Sequence, residues 1–415
     1  MRVLYFSPRI CWPTISGAHL RDYYFARQLA RNAQLTYIGL VNEDATAQAE
    51  ALRERLEPQN GTEVIALRRD GSYRAANIVR GLAGPVPLNV LNFTSPRVLA
   101  EVDRIFQQRS FDVVQVESMH LIAYARRIRE IAPGTRIILD WHNIESEILA
   151  RYAENDRNPL RAIYARRTSV LSRNVENELL RLCHAHTVCS QREREVLRAR
   201  VPEARIEVVG NGVDCDYFAV AAVSDSPRRD VLFMGRMDYH ANIDAALYFA
   251  REVWPLVQHE RPELRLVIVG AQPSDKVVAL RQQGITVTGT VDDVRPYYNN
   301  ALVSVVPLRV GGGTRLKVLE AMAAGTPVVS TTLGAEGLAI TSGKDILLAD
   351  SAGEMAAAIV TLQQSRQEQS ALWHELAEAG RRLVREKYDW SVVGDVLWRL
   401  HKEQVEEGAA CLGAK

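Results

Sequence analysis

Short apolar runs alternate with helix-forming segments along almost the whole chain, and no other feature narrows the fold as much. A run too short for a buried helix, followed by a polar turn and an amphipathic segment, is the pattern of a βαβ unit, and such units build parallel sheets. The first half carries seven runs, near Val3–Ser7, Leu35–Val41, Glu63–Leu67, Val113–Glu117, Arg136–Asp140, His186–Ser190 and Ile206–Val209. The longest helical segment between them is expected from about Glu145 to Leu182. Periodicity fails over Ala219–Arg229, where Ser, Asp and Pro gather. It resumes with runs near Val231–Met234, Leu264–Val269, Ile285–Thr288, Leu302–Val306, Pro327–Ser330 and Ile346–Leu348. The expected fold class is therefore α/β, with two tandem Rossmann-like, doubly wound domains, residues 1–218 and 230–387, joined by a linker at 219–229. Open parallel sheets bind ligands beyond the carboxyl ends of their strands, so the chemistry belongs on the loops that follow strands, at an interdomain cleft.

Size and charge agree with two domains. A chain of 415 residues exceeds what one hydrophobic core usually serves. The net charge of +1 argues against wholesale nucleic-acid binding, yet residues 1–210 carry 30 Arg and no Lys against 24 acidic residues, a balance of +6. The remainder is acidic, so the halves are expected to face different partners. The five cysteines show no paired spacing of a metal site and are read as reduced. No apolar run reaches the ~18 residues of a membrane span, and the first residues enter a strand directly, so a cytoplasmic chain is expected.

The strongest local signal runs from Pro307 to Val329. A strand ends at Pro307, Gly311, Gly312 and Gly313 let backbone approach a ligand, and Thr314 is placed to cap a helix that Gly325 closes. Free amides at that helix start, with Arg315 and Lys317 in its first turn, suit a phosphate, although solvated basic residues on a turn would read the same way. Glu320 falls near the face the helix would bury and needs a partner, either ligand hydroxyls such as those of a ribose or Lys317. A second glycine turn, Gly235-Arg236, follows the first strand of the second half, where an Arg can grip a diphosphate or stand as a surface charge.

In the first half, Ser16-Gly17 separates strand from helix without the G-x-G-x-x-G of a nicotinamide site. Asp140-Trp141-His142-Asn143-Ile144-Glu145 gathers polar groups at a strand end. His142 there is a candidate donor or proton carrier, or a histidine that only satisfies backbone groups, and Asn143 a candidate helix cap. Two Arg clusters, Arg126, Arg127 and Arg129 beside Leu121, Ile122 and Tyr124, and Arg161, Arg166 and Arg167 beside Leu160, Ile163 and Tyr164, are candidates for docking on an anionic membrane surface, or are solvated helix faces.

Together these residues resemble the retaining, two-Rossmann (GT-B) glycosyltransferases of the family-4 type. The matching pieces are Ser16-Gly17, Asp140 to Glu145, Asn211-Gly212-Val213-Asp214 through Phe218, Gly235-Arg236, and Gly311 through Val329. The ending from Tyr388-Asp389-Trp390-Ser391 resembles the family's last helix, which implies that 388–415 crosses back to the N-terminal domain. The resemblance implies transfer of a sugar from a nucleotide-diphosphate donor to a sugar or lipid-linked acceptor, with retention, with no required metal or cofactor, and in polysaccharide or glycolipid assembly. It also implies roles: Glu320 on the ribose, Arg236 on the diphosphate, Gly17 for close access, and His142 near the reacting carbon. The family's first motif glutamate is Gly312 here, and its usual Lys after Gly-Arg is missing, so Lys317 is the candidate for that charge. Competing classes are a sugar-nucleotide epimerase or phosphorylase of similar architecture and a noncatalytic nucleotide-sugar-binding module.

Overall fold

A computed structural model describes residues 1–56, 61–70, 75–156, 158–219, 228–311 and 315–413. They form two units, 1–210 with 394–415, and 211–393.

The first unit is built on seven parallel strands: β1 (Arg2–Ser7), β2 (Gln34–Val41), β3 (Glu63–Arg68), β4 (Val113–Glu117), β5 (Arg136–Asp140), β6 (Ala185–Val188) and β7 (Ile206–Val208). Their order is β3-β2-β1-β4-β5-β6-β7. The central strands are covered on both faces, and β4 is buried at every residue, its Gln115 and Glu117 included. One core holds Leu4, Phe6, Val114, Val116, Ile137 and Leu139. A smaller cluster of Val113, Ile138, Ala185 and Leu400 places the last helix against the same sheet.

The second unit repeats the plan with β8 (Asp230–Met234), β9 (Arg265–Val269), β10 (Ile285–Val287), β11 (Ala301–Val306), β12 (Val328–Ser330) and β13 (Leu347–Leu348). Their order is β10-β9-β8-β11-β12-β13. In each unit the order reverses beside the first strand, between β1 and β4 and between β8 and β11. In open α/β sheets such a reversal point is where ligands bind, beyond the carboxyl edge.

Three boundaries differ from the sequence reading. The expected helix Glu145–Leu182 is two helices, Glu145–Asn155 and Pro159–Leu182. Pro159 cannot continue a helix, and Asn158 caps the second one by accepting from the amides of Leu160 and Arg161. Ser190, read as strand, is the cap of the helix Gln191–Arg198 and accepts from the Glu193 amide. Residues 211–218, read as the end of the first domain, belong to the second unit. Val213, Cys215 and Phe218 are buried in the second core, and the Val213 amide donates to the Tyr388 carbonyl at 2.8 Å. Most of the expected linker, residues 220–227, lies outside the described residues. The closing helix spans Trp390–Gly413, and from Gly394 onward it belongs to the first unit. Among the described residues, Cys11, Cys183, Cys189 and Cys215 stand outside any disulfide.

Candidate functional site

In the second unit the predicted residues meet at the carboxyl ends of β8 and β11. Gly235 follows β8, and Gly270 follows β9 so closely that a Cβ on Gly270 would lie 1.6 Å from the Gly235 carbonyl oxygen. Only glycine permits that approach. Gly311, with φ +110°, turns the chain after β11. The helix Leu316–Ala323 then returns across the sheet and ends on Gly325, whose amide and that of Thr326 donate to the Met322 and Ala321 carbonyls in a Schellman pattern.

Lys317 on this helix donates to Asn242 Oδ1 at 2.7 Å, and Asn242 in turn donates to the Arg236 carbonyl at 2.8 Å. Burial pushes the Lys317 ammonium down to about 7, opposed by Glu320 and assisted by Arg315. Glu320 is not satisfied by Lys317. Its Oε2 accepts from the hydroxyl of the fully buried Tyr298 at 2.9 Å, and burial raises the carboxyl above its usual range. Arg236 is exposed and lies bidentate on Asp238, at 2.6 and 3.1 Å, with Gln272 Oε1 at 3.3 Å. The result is an ammonium, a guanidinium on an exposed and hence exchangeable partner, and a carboxylate with one oxygen committed, all beside backbone that has no side chain in the way.

Arg315 departs from expectation. Its side chain is 5% exposed and turned inward, where it donates to the Leu333 carbonyl at 3.1 Å and to the Gly311 carbonyl. It therefore braces the loop instead of facing solvent, and it occupies the cap position of the helix without a side-chain cap bond. Gly312, Gly313 and Thr314 lie outside the described residues.

In the first unit, Ser16 caps the helix Gly17–Asn32, so Gly17 is its first residue and not a turn. That helix inserts two charges into the protein. Arg21 grips Asp140 at 2.6 and 2.8 Å and donates to the Gly210 carbonyl at 2.9 Å, with the Phe25 ring beneath it at 4.2 Å. Burial alone would raise Asp140, but Arg21 overrides it and holds the carboxyl at about 2. Asp22 accepts from Ser7 Oγ at 2.9 Å and faces His142.

His142 Nε2 stands 3.0 Å from Asp22 Oδ1, 3.0 Å from Glu117 Oε2 and 3.7 Å from Asp140 Oδ2. Burial disfavours its charged form, yet these carboxylates raise it to about 10. Burial and the Asp140 charge push Glu117 the other way from an ordinary carboxylate, up to about 7. Just after Glu117 the chain holds Ser118 at φ 91°, a conformation that costs a non-glycine residue ~1–3 kcal/mol and is a frequent mark of functional sites. Asn143 is not the cap of the following helix, where Ile144 holds that position. Sequence reasoning found His142 but missed Asp22, Glu117 and Ser118. Their only signal was polar residues at the end of a strand and inside a helix face otherwise apolar.

The two Arg clusters part company. Leu121, Ile122 and Tyr124 are core residues, while Arg126 pairs with Glu178 and Arg127 with Asp103, so the first cluster is a paired helix face. In the second cluster, Leu160 is 77% and Ile163 65% exposed. Arg167 bonds the Gly81 and Gly84 carbonyls and ties this helix to the helix Ala75–Ala83, which exposes Ile78, Val79 and Leu82.

Residues 46–217 match Glycosyltransferase Family 4, and residues 228–365 match Glycosyl transferases group 1. The phosphatidyl-myo-inositol mannosyltransferase of Mycobacterium tuberculosis is 33% identical over 214 residues, 48% of this chain and 55% of that protein. That of Mycolicibacterium smegmatis is 32% identical over 207 residues, 47% of this chain and 51% of that protein. The matched stretch thus spans about half the length of these curated relatives. Among solved structures, Anabaena Alr3699/HepE in complex with UDP superposes with a TM-score of 0.68 at 13% identity, covering 97% of this chain and 100% of that one. TarM gives 0.68 at 12%, covering 97% and 99%.

Proposed function

The chain belongs to the family-4-type GT-B glycosyltransferases, and from that premise we propose that it transfers a sugar, with retention, from a nucleotide-diphosphate donor to an acceptor hydroxyl. The observation that carries this reading is the group Lys317–Asn242, Arg236 and Glu320–Tyr298 at the reversal point of the second sheet. Glu320 has an oxygen to spare for the paired hydroxyls of a ribose. Arg236 exchanges Asp238 for the diphosphate, a better bidentate partner. Lys317 regains its charge beside that anion. The departing diphosphate is then stabilised by fixed cations and helix amides, with no metal assigned a part in the step. His142 in the first unit serves the donor sugar. No Asp or Glu is assigned as a nucleophile beneath the ring, so the donor's own phosphate oxygen takes the acceptor proton on the face from which the diphosphate leaves.

Alr3699/HepE binds UDP, which supports a nucleotide donor, and the relatives named as phosphatidyl-myo-inositol mannosyltransferases support a lipid-linked acceptor. The exposed apolar residues of the helices Ala75–Ala83 and Pro159–Leu182, rimmed by Arg80, Arg161 and Arg166, fit a reversible contact with an anionic membrane at its cytoplasmic face. Among the described residues no helix is long and apolar enough to cross a membrane. The test is a thermal-shift screen of UDP, GDP, ADP and their sugars, followed by transfer assays with lipid and saccharide acceptors. A nucleotide that stabilises the chain, with sugar appearing on an acceptor in the donor's anomeric configuration, supports the reading. Stabilisation with intact donor under every acceptor leaves a binding module, and epimerised donor an epimerase.

A further inference from the structure

Asp22 Oδ1, Glu117 Oε2 and His142 Nε2 come from a helix, from the end of β4 and from the loop after β5, and all lie within 4.8 Å of one another. Both carboxylates are completely buried, and none of the three atoms makes a hydrogen bond. The imidazole N–H is thus directed at neither oxygen, although both stand 3.0 Å away. Two buried carboxylate oxygens thus share one focus with a ring nitrogen that pairs with both at 3.0 Å but bonds neither, so a cation that took all three atoms directly would replace a poorly directed ion pair.

We propose that this focus binds a divalent transition-metal cation, and that the cation, by taking His142, acts as a reversible inhibitor of transfer. Ligands about 2.1 Å from a common ion and at right angles to one another lie ~3.0 Å apart, which is the separation of the nitrogen from each oxygen. One imidazole with two carboxylates near right angles, leaving further positions open, suits manganese, or zinc with more than four ligands, better than magnesium, which prefers an all-oxygen shell. The remaining atoms of the ligands are held from outside, as in metal sites generally. Asp22 Oδ2 accepts from Ser7 and lies 3.5 Å from Arg9, and Glu117 Oε1 accepts from Gln115 at 3.0 Å. Asp140 stays outside the shell because Arg21 and Thr187 occupy its oxygens. His142 keeps 13% of its side chain exposed beside the buried focus. Binding itself is independent of the transfer reading, and only the inhibition rests on it.

The experiment uses tag-free, full-length protein stripped with a chelator, dialysed against Zn²⁺, Mn²⁺ or Mg²⁺ and measured by elemental analysis. One equivalent of Zn²⁺ or Mn²⁺ with little Mg²⁺ is expected, weakened at least 100-fold in Glu117→Gln and in Asp22→Asn. Circular dichroism identifies a variant that fails to fold, and the other then carries the comparison. The absorption of bound Co²⁺ separates this nitrogen–oxygen set from a thiolate site, whose charge-transfer bands are intense. Wild type that takes up no metal at 100 µM shows that the focus holds protons only and overturns the proposal, as does unchanged affinity in both variants. Zn²⁺ bound at the site without loss of transfer overturns the inhibition alone.

Discussion

Replacing Lys317 by Met should abolish a proton uptake that accompanies nucleotide binding. In the free protein burial holds the ammonium at about 7, so at pH 8 only about a tenth of the molecules carry the charge. A diphosphate set against the side chain returns its pKa toward ~10.4, the ordinary lysine value, where it is fully charged at pH 8. Binding of UDP, the nucleotide carried by the structural relative, should thus take up ~0.9 proton at pH 8, and affinity should fall by nearly tenfold per pH unit above about 7.5. For the unliganded chain the sign reverses. The unfolded state holds a proton that the folded state has lost, so this residue's contribution to stability grows as pH rises from about 7 toward ~10.4. Titration calorimetry at pH 8 in two buffers of different ionisation enthalpy reads the uptake from the difference in observed heat. Equal heats in the two buffers for the wild type, or an undiminished difference in Lys317→Met, would refute the reasoning.

Arg236→Ala and Glu320→Gln should each weaken nucleotide-diphosphate affinity by ~10–100-fold with an unchanged melting temperature, because a hydrogen bond to a charged group is worth ~1.5–3 kcal/mol; calorimetry and melting on the same samples check both halves. Asp140→Asn leaves Arg21 buried beside a neutral partner and should cost ~3–5 kcal/mol in denaturant unfolding, far more than Asp238→Asn at the exposed Arg236 pair. Gly270→Ala should yield little folded protein, since its methyl group would meet backbone and not a movable side chain. In flotation assays Leu160→Glu with Ile163→Glu should release the protein from anionic liposomes at low salt; equal flotation of variant and wild type would remove this face from the membrane.

The strands were readable because a parallel strand covered on both faces is a mostly apolar run, and β8 and β11 are of that kind, with Ser304 the one polar residue inside β11. The helix break was written in Asn158-Pro159, a signal stronger than the apolar period that ran across it. Much of the candidate site in the second unit was readable too, since Gly311, Lys317 and Glu320 share one strand–loop–helix passage. The group around His142 was not. Asp22 and Glu117 reach it only because β1 and β4 pair at the centre of the sheet, a long-range fact that no local pattern encodes. Arg126 and Arg127 misled for the same reason, because only packing distinguishes an Arg paired across helices from one waiting for a partner.

The first unit is discontinuous in the chain, and that sets an order on its synthesis. Val113, Ile138 and Ala185 leave the ribosome early, but Leu400, which covers them, emerges only after all of residues 211–393. At ~5–20 residues per second those intervening residues take roughly 10–40 s, during which an apolar sheet face waits without its cover. The nascent first unit therefore keeps this apolar face exposed until the residues from 394 onward have emerged. A chain released early, by a nonsense codon anywhere in the second unit, leaves not a free-standing N-terminal domain but one with an open, aggregation-prone side.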